Sequence, residues 1–180
     1  MHQKVYGMNT EVQGRAIRSV VEGVATFSEV FETMALDMLE NNGIPDPQPG
    51  EWYPMQSYLD AFEEIEDSVG PNTVEQIGRA IPEVVEWPPG VETVPEGLEL
   101  LDEVYRMNHR GGEIGFYEFE RTGPKSGTMT CENPYLCALD RGLVTGTVRK
   151  FADTATLVRV EEVDGCRDDG ADTCVYSVKW

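Results

Sequence analysis

All four cysteines of the 180-residue chain lie after residue 130, at Cys131, Cys137, Cys166 and Cys174. In a reducing compartment such thiols stay unpaired, and clustered thiols there bind metal more often than they form disulfides. Three of them fall on three different predicted elements. Cys166 is expected to close one strand, Cys174 to open the next, and Cys137 to sit in the first turn of the helix packed on both. With Cys131 or a carboxylate as a fourth donor, the set predicts a structural zinc ion in a tetrahedral shell. Such an ion would staple helix to sheet and add its binding energy to folding. The competing reading is that free cysteines serve here as small buried apolar residues.

Other chemistry has less to stand on. No Ser-centred elbow, phosphate-cradling glycine loop or dinucleotide fingerprint is present. The pairs Glu63-Glu64 and Asp168-Asp169 resemble acid/base partners, but a chain with 33 acidic residues produces such pairs by chance. A zinc ion held by four protein ligands is also closed to substrate, so no catalysis is expected. The aromatics Trp52, Tyr53, Trp87 and Phe116 are candidates to line an apolar ligand cavity, with core packing as the commoner use. His109 lies in the polar run Arg106–Arg110 and reads as a helix-end residue interacting with the dipole. Its alternative place is the wall of the cavity.

These residues must be positioned by two different halves. Up to about residue 110 the apolar residues recur at helical intervals. Ala16–Leu39 is helix-compatible, with a break near Gly23–Phe27. Met55, Tyr58, Leu59, Phe62, Ile65 and Val69 form one stripe. Gly70 ends that helix and Pro71 opens the next, which is expected to stop where the loop Pro82–Pro95 begins. A last helix carries Leu98, Leu101, Val104 and Tyr105. Beyond Gly111-Gly112 the period changes to two, predicting strands at 113–121, 126–131, 154–163 and 173–180. Asn133 and Pro134 mark the start of a helix over 134–151. The fold class is therefore α+β: N-terminal helices (1–94) packed with a C-terminal ββαββ antiparallel-sheet module (95–180), together one domain.

The charge bounds the partners. With 33 acidic against 14 basic residues the formal net charge is −19. Such a surface repels phosphate backbones and anionic lipid, so neither nucleic acid nor membrane is an expected partner. Its density of carboxylates suits a salt-adapted, halophilic protein. No stretch reaches the ~18–20 apolar residues of a membrane helix. The start, Met1–Tyr6, lacks a secretory pattern, which places the chain in the cytoplasm.

The run Asn133-Pro134-Tyr135-Leu136-Cys137 before a helix punctuated by Gly142 and Gly146 resembles the 4-vinyl reductase domain family, as do Glu161-Glu162-Val163 and the ending from Cys166 to Cys174. The resemblance covers about residues 95–180. It implies an intracellular sensing domain for a small apolar molecule, signalling through a protein partner or homodimer, with a fold related to haem-nitric-oxide-binding sensors. Alternatives are an adaptor subunit or an accessory protein of tetrapyrrole or lipid metabolism. It also implies Cys137, Cys166 and Cys174 as zinc ligands with a glutamate as the fourth. The expected glutamate position holds Val163, so Glu162 and Cys131 compete for that place. No haem is expected: the axial ligand would have to be His2 or His109, and the Tyr-x-Ser-x-Arg signature of the haem sensors is absent.

Overall fold

Thr26 and Ser28 divide the first apolar stretch into two helices in the computed structural model, which describes residues 9–26 and 28–180. The Thr26 hydroxyl donates to the Gly23 carbonyl at 2.6 Å as α1 (Gly14–Ala25) closes. Ser28 accepts the Phe31 N–H at 3.2 Å and opens α2 (Glu29–Asn41), whose first turn carries Glu29 and Glu32. Hydroxyl capping and early acids satisfy orphan N–H groups and suit the helix dipole. Next come α3 (Met55–Val69) and α4 (Pro71–Val84), separated by Gly70 at φ 81°. A left-handed φ at this turn suits a residue without Cβ. The helix α5 (Val94–Met107) starts where Glu96 accepts the Thr93 N–H at 2.9 Å.

The C-terminal half forms the expected ββαββ module. Strands β4 (Phe116–Gly123) and β5 (Ser126–Glu132) make one hairpin, α6 (Cys137–Phe151) follows, and β6 (Arg159–Glu162) and β7 (Cys174–Lys179) make the second. The sheet order is β4-β5-β7-β6, antiparallel throughout, because β5 pairs with β7 and joins the hairpins. Directly opposed residues share a face. Tyr117, Cys131 and Cys174 line up across three strands and point at α6. One contiguous cluster of buried side chains runs from Val12 to Val178 through both halves. Among the described residues no helix is long and apolar enough to cross a membrane.

Three expectations change. Pro82 lies inside α4 instead of starting a loop. The last helix begins at Cys137 because Asn133 spends its side chain elsewhere: its Oδ1 accepts the Tyr135 N–H at 2.9 Å and its Nδ2 donates to Asp140 at 3.0 Å. The third change is a second small sheet. Its strands β1 (Glu11–Gln13), β2 (Trp52–Pro54) and β3 (His109–Arg110) are ordered β2-β1-β3, pairing Val12 with both Tyr53 and His109.

The helix α6 is buried nearly all round, between the sheet and α4. Glycines permit the second contact. A Cβ on Gly142 would stand 2.2 Å from the Glu75 carbonyl oxygen, and one on Gly146 2.4 Å from that of Arg79. Glu75, itself buried, is clasped by Arg79 of the same helix and by Arg141 of α6 at 2.8 Å.

Candidate functional site

Cys137, Cys166 and Cys174 converge as the sequence suggests. Their three sulfurs lie within 4.8 Å of one another and all three residues are buried. The Cys166 and Cys174 sulfurs are 3.0 Å apart, and those of Cys174 and Cys137 3.3 Å. Cys137 is the first residue of α6, Cys174 the first of β7, and Cys166 precedes the short 3-10 turn Arg167–Asp169. Cys131 faces Cys174 across β5 and β7 and is fully buried, yet stands outside the group of three. Glu162 is exposed on the edge strand β6, opposite Tyr176.

Negative charge settles on Cys174. The Cys137 hydrogen bond and then the Arg167 contacts hold its thiol low, to about 4, while Cys137 is pushed up in return. Arg167 serves it twice, with its backbone N–H at 3.3 Å and its Nε at 3.4 Å. The same guanidinium bonds Asp140, whose carboxylate is fully buried. Asp140 also accepts from the Tyr117 hydroxyl at 2.6 Å, and burial lifts its carboxyl to about 6 against these partners. A buried ion pair of this kind is held by its hydrogen bonds as much as by its charges. Sequence reasoning missed it. The signal was an acid four residues after Leu136, inside the apolar row of α6.

A separate, partly open cavity of about 80 Å³ lies between α1, α4, α5, α6 and the small sheet. Ala16, Val20, Leu101, Val104 and Leu143 make apolar walls, and His109, Tyr105, Tyr117 and Tyr135 supply its polar edge. His109 Nδ1 meets the Tyr105 carbonyl at 2.7 Å and Nε2 meets the Tyr135 hydroxyl at 2.6 Å. A carbonyl only accepts, so Nδ1 carries the proton and the neutral Nε2 accepts from Tyr135. Burial lowers the His109 pKa to about 4, opposed by the Tyr105 carbonyl. The ring lies tilted against Tyr105 with centroids 4.2 Å apart, and Tyr135 meets Tyr58 edge-on at 5.9 Å.

Of the expected pocket residues, Trp87 and His109 line this cavity. Trp52 instead carries the Arg110 guanidinium 4.3 Å above its ring, and the Tyr53 hydroxyl accepts the Gln48 N–H at 2.8 Å. Phe116 is half-buried at the start of β4, opposite Glu132. His2 lies outside the described residues.

This architecture is that of the H-NOX domains. An H-NOX protein from S. oneidensis in the Fe(II)NO ligation state matches with a TM-score of 0.68 at 13% identity, over 93% of this chain and 98% of that one. An oxygen-binding H-NOX domain related to soluble guanylate cyclases matches with 0.69 at 17%, over 93% and 94%. A mutant of the T. tengcongensis H-NOX matches with 0.68 at 18%, over 93% and 96%. Identities this low establish the fold. No protein-family model and no curated protein matches the chain.

Two expectations are corrected by these likenesses. The family resemblance to 4-vinyl reductase domains has no family model behind it, and the structural neighbours are H-NOX domains. The expectation of no haem also loses its ground. Another of these neighbours is described by its haem redox potential and porphyrin distortion. His109, set aside as a helix-end residue, stands in the cavity wall of this same fold. The thiols, for their part, come together without singling out zinc among the ions such a set takes.

Proposed function

We propose that the chain is a non-catalytic small-molecule-sensing domain, residues 1–180 acting as one unit, whose largely apolar cavity takes a compact apolar ligand. The observation that carries this is the His109–Tyr135 pair at the edge of an otherwise apolar cavity. A concave, mostly apolar space with a few convergent polar groups is the usual form of a ligand site. At about 80 Å³ the space is well below the ~300–1,000 Å³ of ordinary ligand pockets and suits only a ligand of a few non-hydrogen atoms. Cys137, Cys166 and Cys174 hold a thiophilic metal ion that fastens α6 to the last hairpin, as three converging thiols favour. Output passes to a protein partner or to a second copy. The acidic surface disfavours nucleic acid and anionic membrane as partners.

Haem belongs to the description of one structural neighbour, and His109 is the residue that could ligate it here. At about 80 Å³ the cavity as it stands is smaller than haem needs. Both His109 nitrogens are engaged, and no Lys or Arg stands among the described lining residues to meet propionates. Haem binding requires the walls to part and Tyr135 to release Nε2.

Phenol and haemin titrations of the full chain separate the two occupants. Phenol, a ring for the apolar walls and a hydroxyl for the pair, is expected to bind saturably to wild type and to be excluded by Ala16→Phe. Phenol binding that survives Ala16→Phe, or none at all, overturns the compact-ligand reading. Stoichiometric haemin binding with a sharp Soret band, lost in His109→Phe, replaces it with a haem site.

A further inference from the structure

Tyr58 carries a hydroxyl that the fold does not use. The residue belongs to α3 and is 5% exposed. Its ring packs edge-on against Phe62 at 4.9 Å and Tyr135 at 5.9 Å, and its hydroxyl makes no hydrogen bond among the described residues. The one fully enclosed side-chain polar atom without a partner among those residues is Arg79 Nε, so the Tyr58 oxygen stands against open space. Tyr58 borders two cavities. The smaller, about 20 Å³, is otherwise walled by apolar side chains such as Ile17, Val24 and Ile77. A water there finds no second polar side chain, and buried waters need about two to four polar partners. That leaves the larger cavity, the proposed ligand site.

The other polar groups around the larger cavity are spent on the protein. The Tyr105 hydroxyl donates to the Ile114 carbonyl, that of Tyr117 to Asp140 and that of Tyr135 to His109, each at 2.6 Å. His109 Nδ1 donates to the Tyr105 carbonyl at 2.7 Å, Trp87 Nε1 to the Pro82 carbonyl at 2.9 Å, and the Asn108 amide to the Val104 carbonyl at 2.8 Å. A hydroxyl oxygen with a spare lone pair is ordinary in a protein interior, whereas a buried donor left unmade is costly. Phenylalanine would fill the place of Tyr58 without that cost, so packing does not explain the hydroxyl.

We infer that Tyr58 recognises the polar atom of the ligand, and that the ligand is a compact apolar molecule carrying a hydrogen-bond acceptor, such as a carbonyl, ether, nitrile or ring nitrogen. This deepens the proposed function and rests on it. The acceptor takes the Tyr58 proton in a hydrogen bond. Phe62 and Tyr135 hold the ring in place beforehand, so little freedom is lost on binding. A ligand whose one polar atom is a donor leaves that proton without a partner.

Benzene and pyridine share a shape and differ by one ring nitrogen, an acceptor. Their binding to the full chain, at a mildly alkaline pH where pyridine is neutral, is read by NMR from the amide shifts of cavity-lining residues. Wild type should bind both saturably. Tyr58→Phe should weaken pyridine about five- to tenfold, the worth of one hydrogen bond, and leave benzene within about twofold or tighten it. Without ligand, Tyr58→Phe should unfold in denaturant no earlier than wild type, since it breaks no bond. Equal changes for the two probes, or none for either, overturn the Tyr58 assignment and leave the cavity standing. Benzene binding without pyridine binding overturns the ligand class. A ligand-free variant less stable than wild type gives the hydroxyl a protein partner and overturns the assignment too. No saturable binding of either probe, or binding that persists in Ala16→Phe, removes the cavity reading itself.

Discussion

Acid should destabilise this protein through one imidazole in particular. Burial lowers the His109 pKa from 6.5 to about 4. The folded state therefore releases a proton that the unfolded chain keeps throughout that window. Stability rises with pH wherever the unfolded state binds more protons, so it is full above pH 6.5 and is lost as pH falls towards 4. A gap of about 2.5 pH units at ~1.4 kcal/mol each gives about 3 kcal/mol. This is an upper bound, because the Tyr135 hydroxyl can rotate and accept from a protonated Nε2. The many carboxylates titrate in the same range, and a matched variant removes them from the result. His109→Phe keeps an aromatic ring and does not titrate. Denaturant unfolding of both proteins at constant ionic strength should show wild type losing up to about 3 kcal/mol relative to the variant between pH 7 and pH 4. A difference that stays flat within about 0.5 kcal/mol would refute the assignment of a neutral, buried His109.

Further expectations concern the buried framework. Arg167→Met leaves the fully buried Asp140 without its counter-ion. It should cost about 3–5 kcal/mol by denaturant unfolding, partly recovered in the double variant with Asp140→Asn. Gly142→Ala drives a Cβ to 2.2 Å from the Glu75 carbonyl oxygen and should cost at least about 1–3 kcal/mol in thermal unfolding. Gly50→Ala, with nothing within 4 Å, should leave the melting temperature unchanged, and equal effects from the two would sink the packing argument.

The ββαββ module was legible because period two over the six to eight residues of β4, β5 and β7 is a strong signal and the hairpins are local, although β6 spans only Arg159–Glu162 of the strand expected over 154–163. The small sheet was not. Strands of two or three residues carry no period, and their partners lie far away in sequence, Glu11 facing both Pro54 and Arg110. The same distance hid the cavity. His109 reads as polar from its chain neighbours, but its place is set by Tyr135, 26 residues on. Cysteine spacing picked out the trio, although Cys166 does not close a strand as expected: β6 ends at Glu162 and Cys166 precedes the 3-10 turn Arg167–Asp169. It could not find the Arg167–Asp140 ion pair, because the two residues belong to different elements.

The glycine contact between α4 and α6 fixes where this protein can yield. Helices separated by a layer of side chains slide past one another in small steps as rotamers adjust. Gly78, Gly142 and Gly146 leave no such layer, so a shift along the seam drives carbonyl into Cα. The two helices, with the sheet that α6 covers, are therefore one plate. Under the proposed function, any shape change on filling the cavity falls to its remaining walls, among them α1, α5 and the small sheet.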